Sequence, residues 1–484
     1  MNRDSKWDRT RAAFLDYPET LLEFMGTRWQ DDQPAARPQP KAPDYARRRA
    51  ALSAAFPGET LVIPTGTAKV RANDQFYPFR PGSDFVYLTG DHDPDGVLIL
   101  RPGGDGHEAV VYTRPPSSPN SEEFFWDLME GRPRTLADKA AELGAQMATL
   151  AEVEDALAGC APAHTRVLRG LDGRVDASVL PSGPGEGAAR DRELAAAIAE
   201  LKLIKDEWEI AQLQDAIDAT VRGFEDVTRV LPAEQGVSER LIEGVFGLRA
   251  RHDGSDVGYR SIVGAGAHSA TSGWQANSGT TAPGDLLLMD MGVENNHLYT
   301  ADITRTVPVC GTFTRLQQQV YDIVYASQQA GIDSIKPGVT YRDVHLTCMR
   351  VLAEGLSQLG VLPVSVDEAM DPQSMIYRRW TLHSFGHMLG IDVHDCANAR
   401  AEKYRDGELG EGYVLTVEPG LYFQPNDDLV PPELRGIGIR IEDDILVTTG
   451  GTINLSASLP RKASDVESWL AAQREAGPRP GCVK

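Results

Sequence analysis

The sequence predicts two domains of different class: an α/β domain over residues 1–201 and an α+β domain with a mostly antiparallel sheet over residues 202–484. Three observations carry this. At 484 residues the chain is too long for one average hydrophobic core. In its first part, short β-branched and aromatic runs closed by Gly or Pro mix with helix-like segments, whereas later the strands and helices come in blocks. Between the parts lies an Ala-rich region over residues 136–200, loosened in its middle by DASVLPSGPGEGAARDRE, which has the composition of an approach to a domain boundary.

Taken in order, ETLVIPTG, SDFVYLTG, GVLILRPG and HEAVVYTRP read as strands, and residues 42–55 and 136–148 as helices. PPSSPNSEEFFWDLMEGRP, lying between strands, reads as an exposed excursion carrying aromatics. The second domain starts near residue 202 with a long helix, for which Asp206 serves as N-cap and Glu209 as its reciprocal partner. Helices follow over residues 238–251, 315–335 and 341–359, the last two separated by the turn IKPGVT. YRSIVGAG, DLLLMDMG, LYTADITRTVPV, VLTVEPGLYF and GIGIRIEDDILV supply the strands.

Composition excludes several classes. Lys and Arg total 48 against 70 acidic residues, and a net charge of −22 repels a polymer of phosphates, so no nucleic-acid partner is expected. No segment approaches the roughly eighteen consecutive apolar residues that span a bilayer, so no membrane partner is expected either. The first stretch, MNRDSKWDRTRAAFLDYPETLLEF, is charged throughout and lacks the apolar region of a secretory signal. Five widely spaced cysteines without a CxxC pair suggest neither a disulfide framework nor a thiolate zinc site, and a reducing cytoplasm is the expected location.

Carboxylates fall where strands should be apolar. Asp290 ends LLLMD, Asp302 lies within LYTADITRTV, Glu418 in VLTVEPG and Glu442 in GIGIRIED. In the last of these a period of two puts Arg440 and Glu442 on one face, opposite Ile437, Ile439 and Ile441. Any one such acid alone reads as a surface residue. Four at strand positions would repel one another in low dielectric unless a cation neutralised them, and a pair of divalent metals removes the conflict. Oxygen-rich ligation with one or a few imidazoles suits Mn²⁺, Co²⁺, Fe²⁺ or Zn²⁺.

TLHSFGHMLGIDVHD adds His383, His387 and His394. His383 and His387, four apart, would share a face of a helix, but Gly386 and Gly390 weaken helix there. No Glu follows His383, which excludes an HExxH zinc motif.

Together DLLLMDMG, YTADITRTVPV, HSFGHMLGIDVHD, VLTVEPGLY and GIGIRIEDDI resemble the dinuclear metallopeptidases of the pita-bread (creatinase/aminopeptidase-like) fold and, within them, the aminopeptidase P family of Xaa-Pro aminopeptidases. DQFYPFRPGSDFVYLTG and DPDGVLILRP resemble that family's N-terminal domain, so the likeness covers nearly the whole chain. It implies two divalent metal ions per chain, Mn²⁺ first and Co²⁺, Zn²⁺ or Fe²⁺ as alternatives. Asp290 would chelate one ion, Asp302 and Glu442 bridge both, and His387 and Glu418 complete the second. A hydroxide between the ions would be the nucleophile. Glu418 would also carry the proton to the leaving imino nitrogen, His383 and His394 would line the substrate pocket with His394 at the oxyanion, and Arg440 would hold the carboxylates from behind.

The implied substrates are peptides with proline at the second position. An Xaa-Pro dipeptidase (prolidase), a peptidase-inactive pita-bread binding protein and a metal-free hydrolase of the creatinase kind are the alternatives. Relatives form dimers or tetramers, so a homodimer or homotetramer is expected, with FFWDLMEG as the candidate border. Two departures stand out. Asp290 and Asp302 are twelve apart, one more than the family spacing, which places an extra residue in VENNHLYT. The family's pocket histidine falls on Gly273 in SGWQAN, with His268 five residues earlier and Trp274 beside it.

Overall fold

The computed structural model describes residues 18–29 and 44–479, apart from 74, 105, 120, 122, 132, 182–184 and 232–235. Most of the charged first stretch, and Cys482, lie outside the described residues. The chain divides after Leu201 into two compact units.

In the first unit, helix α1 (Tyr45–Ala55) is followed by β1 (Thr60–Pro64), α2 (Ser83–Thr89), β2 (Val97–Gly103), β3 (Gly106–Thr113), α3 (Glu123–Glu130), α4 (Leu136–Leu143), β4 (Gln146–Thr149), β5 (Thr165–Val167) and α5 (Glu186–Lys202). The strands form one mixed sheet in the order β4-β3-β2-β1-β5, antiparallel at its centre and parallel at both edges. Val62, Val97, Ile99, Tyr112 and Val167 share a core with Val153, Leu157 and Val175 from short helices and with Val179 just beyond the last of them.

Three sequence expectations change here. SDFVYLTG is not a strand but α2, closed by Gly90 in the left-handed region at φ 75°. Its residues Phe85–Thr89 are all buried, and so short an apolar run has no periodicity to separate strand from helix. The helix expected over 136–148 stops at Leu143, because Gly144 turns left-handed at φ 58° and the next residues pair as β4. The expected excursion contains α3, with Phe124 buried edge-on against Trp29 at 5.2 Å and Leu128 and Met129 exposed. The side chains of Phe125 and Trp126 lie outside the described residues.

The second unit opens with α6 (Glu207–Val230), whose N-terminus carries the full reciprocal cap between Asp206 and Glu209, and α7 (Glu239–Asp253) follows from Ser238. Then come β6 (Ile262–Ala265), β7 (Leu286–Met291), β8 (Ile303–Pro308), α8 (Arg315–Ser334), α9 (Tyr341–Gln358), β9 (Val414–Val417), β10 (Gly420–Tyr422), β11 (Gly438–Arg440), β12 (Asp443–Thr448), β13 (Gly451–Asn454) and α10 (Ala463–Ala476). Among the described residues all strand pairs of this unit are antiparallel, in the sets β8-β7-β6, β9-β12-β13 and β10-β11 and in a short pair of Val293–Glu294 with Asp256–Val257. Helix α8 packs on β9, β10 and β11. It meets α9 so closely that a Cβ on Gly331 would lie 2.4 Å from Sγ of Cys348. β7, β8 and β11 are buried on both faces, so Ile439 and Ile441 are as covered as Arg440 and Glu442, while Ile437 is half-buried. Among the described residues no helix is long and apolar enough to cross a membrane.

Candidate metal centre

Of the four strand-associated acids only Asp290 sits within a strand; Asp302 directly precedes β8, Glu418 directly follows β9, and Glu442 lies between β11 and β12. Breaks in the ladders let these side chains turn toward one another. Asp290 pairs with Thr304 across β7 and β8. Thr304 ties in Glu442, accepting from the Glu442 backbone N–H at 3.1 Å and donating its hydroxyl to Glu442 Oε2 at 2.6 Å. Asp444 accepts from the Asp302 N–H at 3.2 Å and fixes that backbone from the other side.

The histidine segment is not a helix. It runs beside β9: His387 N–H donates to Thr416 Oγ1 at 3.1 Å, Thr416 N–H donates to the His387 carbonyl at 2.8 Å, and Glu418 N–H donates to Phe385 at 2.6 Å. A Cβ on Gly386 would stand 2.0 Å from the Thr416 carbonyl, so glycine is what permits the close approach. The four-residue spacing of His383 and His387 therefore reflects an extended segment rather than one face of a helix.

Ligand atoms of Asp302, His387 and Glu442 all lie within 4.8 Å of one another. His387 Nε2 is 3.3 Å from Asp302 Oδ2 and 3.5 Å from Glu418 Oε1. On the far side of the ring, Nδ1 meets the Met388 carbonyl at 3.1 Å. A carbonyl only accepts, so Nδ1 carries the hydrogen and the Nε2 lone pair points into the carboxylates. Burial, and then the neighbouring carboxylates, hold the carboxyls of Asp302 and Glu442 well above their ordinary range. Burial lifts Glu418 to about 7, against the opposing pull of His387 and Arg440. Buried acceptors of one sign converging on one point fit a divalent cation, whose charge removes the repulsion and satisfies the lone pairs.

Asp290 adjoins this cluster through Tyr259, whose hydroxyl donates to Asp290 Oδ1 at 2.6 Å and also contacts Asp302 Oδ1. The second Asp290 oxygen accepts from Arg440 Nη2. Buried Arg440 also donates from Nε to Thr304 Oγ1 at 3.0 Å and from Nη1 to the Tyr422 hydroxyl at 2.8 Å and the Ser272 carbonyl at 3.2 Å. His383 lies with Nε2 2.6 Å from the Tyr422 hydroxyl and Nδ1 3.4 Å from Glu418 Oε2. Burial and the Arg440 charge push the His383 imidazole down to about 3, so it is neutral at physiological pH. The His394 ring meets that of His387 edge to face, 4.4 Å between centroids.

A Cβ on Gly273 would meet nothing within 4 Å. Beside it the Trp274 ring stacks on His268 at 3.9 Å, and both donate to the buried Glu239 carboxylate at 2.8 Å. Burial opposes charge on Glu239, but donors from Ala265, Trp274, His268 and Gly279 hold its carboxyl below the usual range. His268 is thus committed to Glu239 through Nδ1.

Sequence reasoning did not single out Tyr259, Thr304, Tyr422, Asp444 or Glu239. Thr304 and Asp444 each stand two residues beyond a named acid, Asp302 and Glu442, so strand parity was a usable signal. Tyr259 and Tyr422 carried none, since a tyrosine beside a strand reads equally well as core.

The sequence model of metallopeptidase family M24 matches residues 211–449, and that of the aminopeptidase P N-terminal domain matches residues 45–168. Xaa-Pro aminopeptidase 1 of Streptomyces coelicolor is 49% identical over 469 residues, covering 96% of this chain and 94% of that protein. The Xaa-Pro aminopeptidase of Escherichia coli is 33% identical over 462 residues, covering 89% and 98%. Among solved structures, zinc-substituted E. coli aminopeptidase P in complex with product superposes with a TM-score of 0.79 at 31% identity, covering 89% of this chain and 98% of that one. A histidine-to-alanine variant of the same enzyme matches with a TM-score of 0.79 at 30% identity over the same shares. With an α/β N-terminal domain joined to a pita-bread catalytic domain, the chain belongs to metallopeptidase family M24 and, within it, to the aminopeptidase P group.

Proposed function

We propose that this protein is a metal-dependent Xaa-Pro aminopeptidase, which hydrolyses the bond between an N-terminal residue and a following proline. The observation that carries the reading is the buried convergence of Asp302, His387 and Glu442, with Glu418 adjoining, in a chain that aligns nearly end to end with Xaa-Pro aminopeptidases. Residues 1–201 form the aminopeptidase P-type domain and residues 202–484 the catalytic domain. Asp290, Asp302, His387, Glu418 and Glu442 hold two divalent ions, Mn²⁺ first and Co²⁺, Zn²⁺ or Fe²⁺ as alternatives.

When bound, the ions supply Lewis acidity toward the scissile carbonyl and make water a nucleophile at neutral pH. The chain's own groups do the rest. Glu418, with one oxygen beside His387 and the other beside His383, takes a proton and returns it at the leaving imino nitrogen. His394 stabilises the developing oxyanion, and His383, held by the Tyr422 hydroxyl, lines the pocket. Arg440 keeps Asp290 in place. No serine, cysteine or threonine nucleophile is required.

Exposed Leu128 and Met129 on α3 support its reading as a border in a homodimer or homotetramer. Light scattering that gives a monomer at micromolar concentration overturns that part. Cys160, Cys310, Cys348 and Cys396 are free, which supports a cytoplasmic location. The main test follows release of the first amino acid from an Xaa-Pro-Xaa tripeptide and from an Xaa-Pro dipeptide, with protein stripped of metal and then resupplied with Mn²⁺. Restored release with the tripeptide favoured is expected; cleavage confined to the dipeptide makes the protein a prolidase, and no cleavage of either sinks the reading.

A further inference from the structure

Immediately after the exposed His394 comes a residue of opposite character, Asp395, whose carboxylate is buried. Two lysines reach it from the segment that leads into α6: Lys202 Nζ is 3.0 Å from Oδ1, and Lys205 Nζ is 3.4 Å from Oδ2. Both lysine side chains are buried, 6% and 1% exposed, and Asp392 approaches Lys202 only at 4.0 Å. Lys205 is itself fixed, its N–H donating to the Gly412 carbonyl at 2.8 Å and its Nζ to the Lys202 carbonyl at 2.7 Å. Burying three charges is costly, and such a cluster is weak evidence of a gain in stability. What it holds is a better guide to its role.

Asp395 closes the turn that joins His387 and His394. Its N–H donates to the Met388 carbonyl at 2.9 Å, the same oxygen that receives His387 Nδ1–H at 3.1 Å. Its Oδ1 accepts from the Cys396 N–H at 2.9 Å and holds Cys396 at φ 58°, a left-handed conformation unfavourable for a residue with a side chain. Its Oδ2 lies so flat on the turn that a Cβ on Gly390 would come within 2.0 Å of it. The exposed His394 ring, in contrast, has the edge-on contact with the His387 ring as its one ring contact among the described residues, and no side-chain hydrogen bond there. Its aim therefore depends on the backbone that Asp395 fixes.

We infer that Asp395, clamped by Lys202 and Lys205, is a positioning residue that sets His394 against His387 for peptide cleavage. The inference rests on the aminopeptidase reading of the site and on the role given there to His394. It extends the catalytic machinery to a segment 190 residues upstream.

The test is a double-mutant cycle on the metal-loaded full-length enzyme, with kcat and KM measured on an Xaa-Pro-Xaa tripeptide and metal content by elemental analysis. Asp395→Asn is expected to lower kcat about 10- to 100-fold, the effect typical of removing a residue that orients a site group, with KM and metal content little changed. In a His394→Ala background the same substitution is expected to cost no more than about threefold, because residues acting as one unit are not additive. Lys202→Met, which leaves Lys205 in place, is expected to show the same pattern at smaller amplitude and serves if Asp395→Asn fails to fold. Losses that multiply in the double variant, or an Asp395→Asn enzyme of normal kcat, overturn the inference and leave the aminopeptidase reading standing. A His394→Ala enzyme as fast as wild type overturns the inference together with the role assigned to His394.

Discussion

His387 presents Nε2 to Asp302 Oδ2 at 3.3 Å, while its Nδ1–H is committed to the Met388 carbonyl on the opposite side of the ring. A lone pair facing a buried carboxylate is repulsive unless a cation lies between them. Asp302→Ala or Glu442→Ala should therefore abolish metal-stimulated cleavage, a loss of roughly 1,000-fold or more in kcat. Assays on dialysed protein, before and after Mn²⁺ is returned, check this; a variant that keeps its stimulation refutes the ligand assignment.

Arg440 makes four polar contacts from one planar group, to Asp290, Thr304, Tyr422 and Ser272. A lysine in its place offers a point charge and cannot reach all four. We expect Arg440→Lys to reduce kcat/KM by about 10- to 100-fold even though charge is conserved. A variant within twofold of wild type would mean that charge alone, and not the fork, matters.

The Tyr259 hydroxyl lies between the carboxylates of Asp290 and Asp302. Tyr259→Phe keeps the ring, so the thermal midpoint should move by only a few degrees. Metal affinity should fall on the order of 10-fold, because two ligand orientations lose their shared donor. Calorimetric titration with Mn²⁺ on the two proteins decides it, and equal affinities would show the hydroxyl to be dispensable.

Acid stability offers a test away from the metal site. Hydrogen bonds from Arg379, Leu429 and Trp380 hold the Asp427 carboxyl down to about 2. The folded value lies below the unfolded one of about 3.9, so the contribution is fully present above that pH and is lost as pH falls toward 2. Asp427→Asn should cost on the order of 1 kcal/mol at pH 7, because the buried Trp380 N–H and the half-exposed Arg379 lose a charged acceptor. Urea midpoints for the two proteins should converge between about pH 4 and 2; a constant gap across that range would rule out the ionised form as the source.

The part of the fold that was legible in the sequence is the part governed by neighbours along the chain. The Asp206–Glu209 cap announces α6, and the Gly- and Pro-bounded runs around Val62, Ile99 and Met289 announce their strands. SDFVYLTG misled because burial on all sides erases the periodicity by which helix and strand are told apart. The excess of acids around Asp290, Asp302, Glu418 and Glu442 was legible for the opposite reason: charged residues break an apolar strand pattern and so call for a partner.

By itself the sequence determined which donor types are present, carboxylates and imidazoles without thiolate pairs, and hence that divalent ions such as Mn²⁺, Co²⁺, Fe²⁺ or Zn²⁺ suit them; this is a property of residue chemistry and needs no coordinates. Only the tertiary structure decided that Tyr259 stands between Asp290 and Asp302 and that Lys202 and Lys205 reach Asp395. Those relationships join segments far apart in the chain, and long-range packing selects such partners while local pattern carries no trace of them.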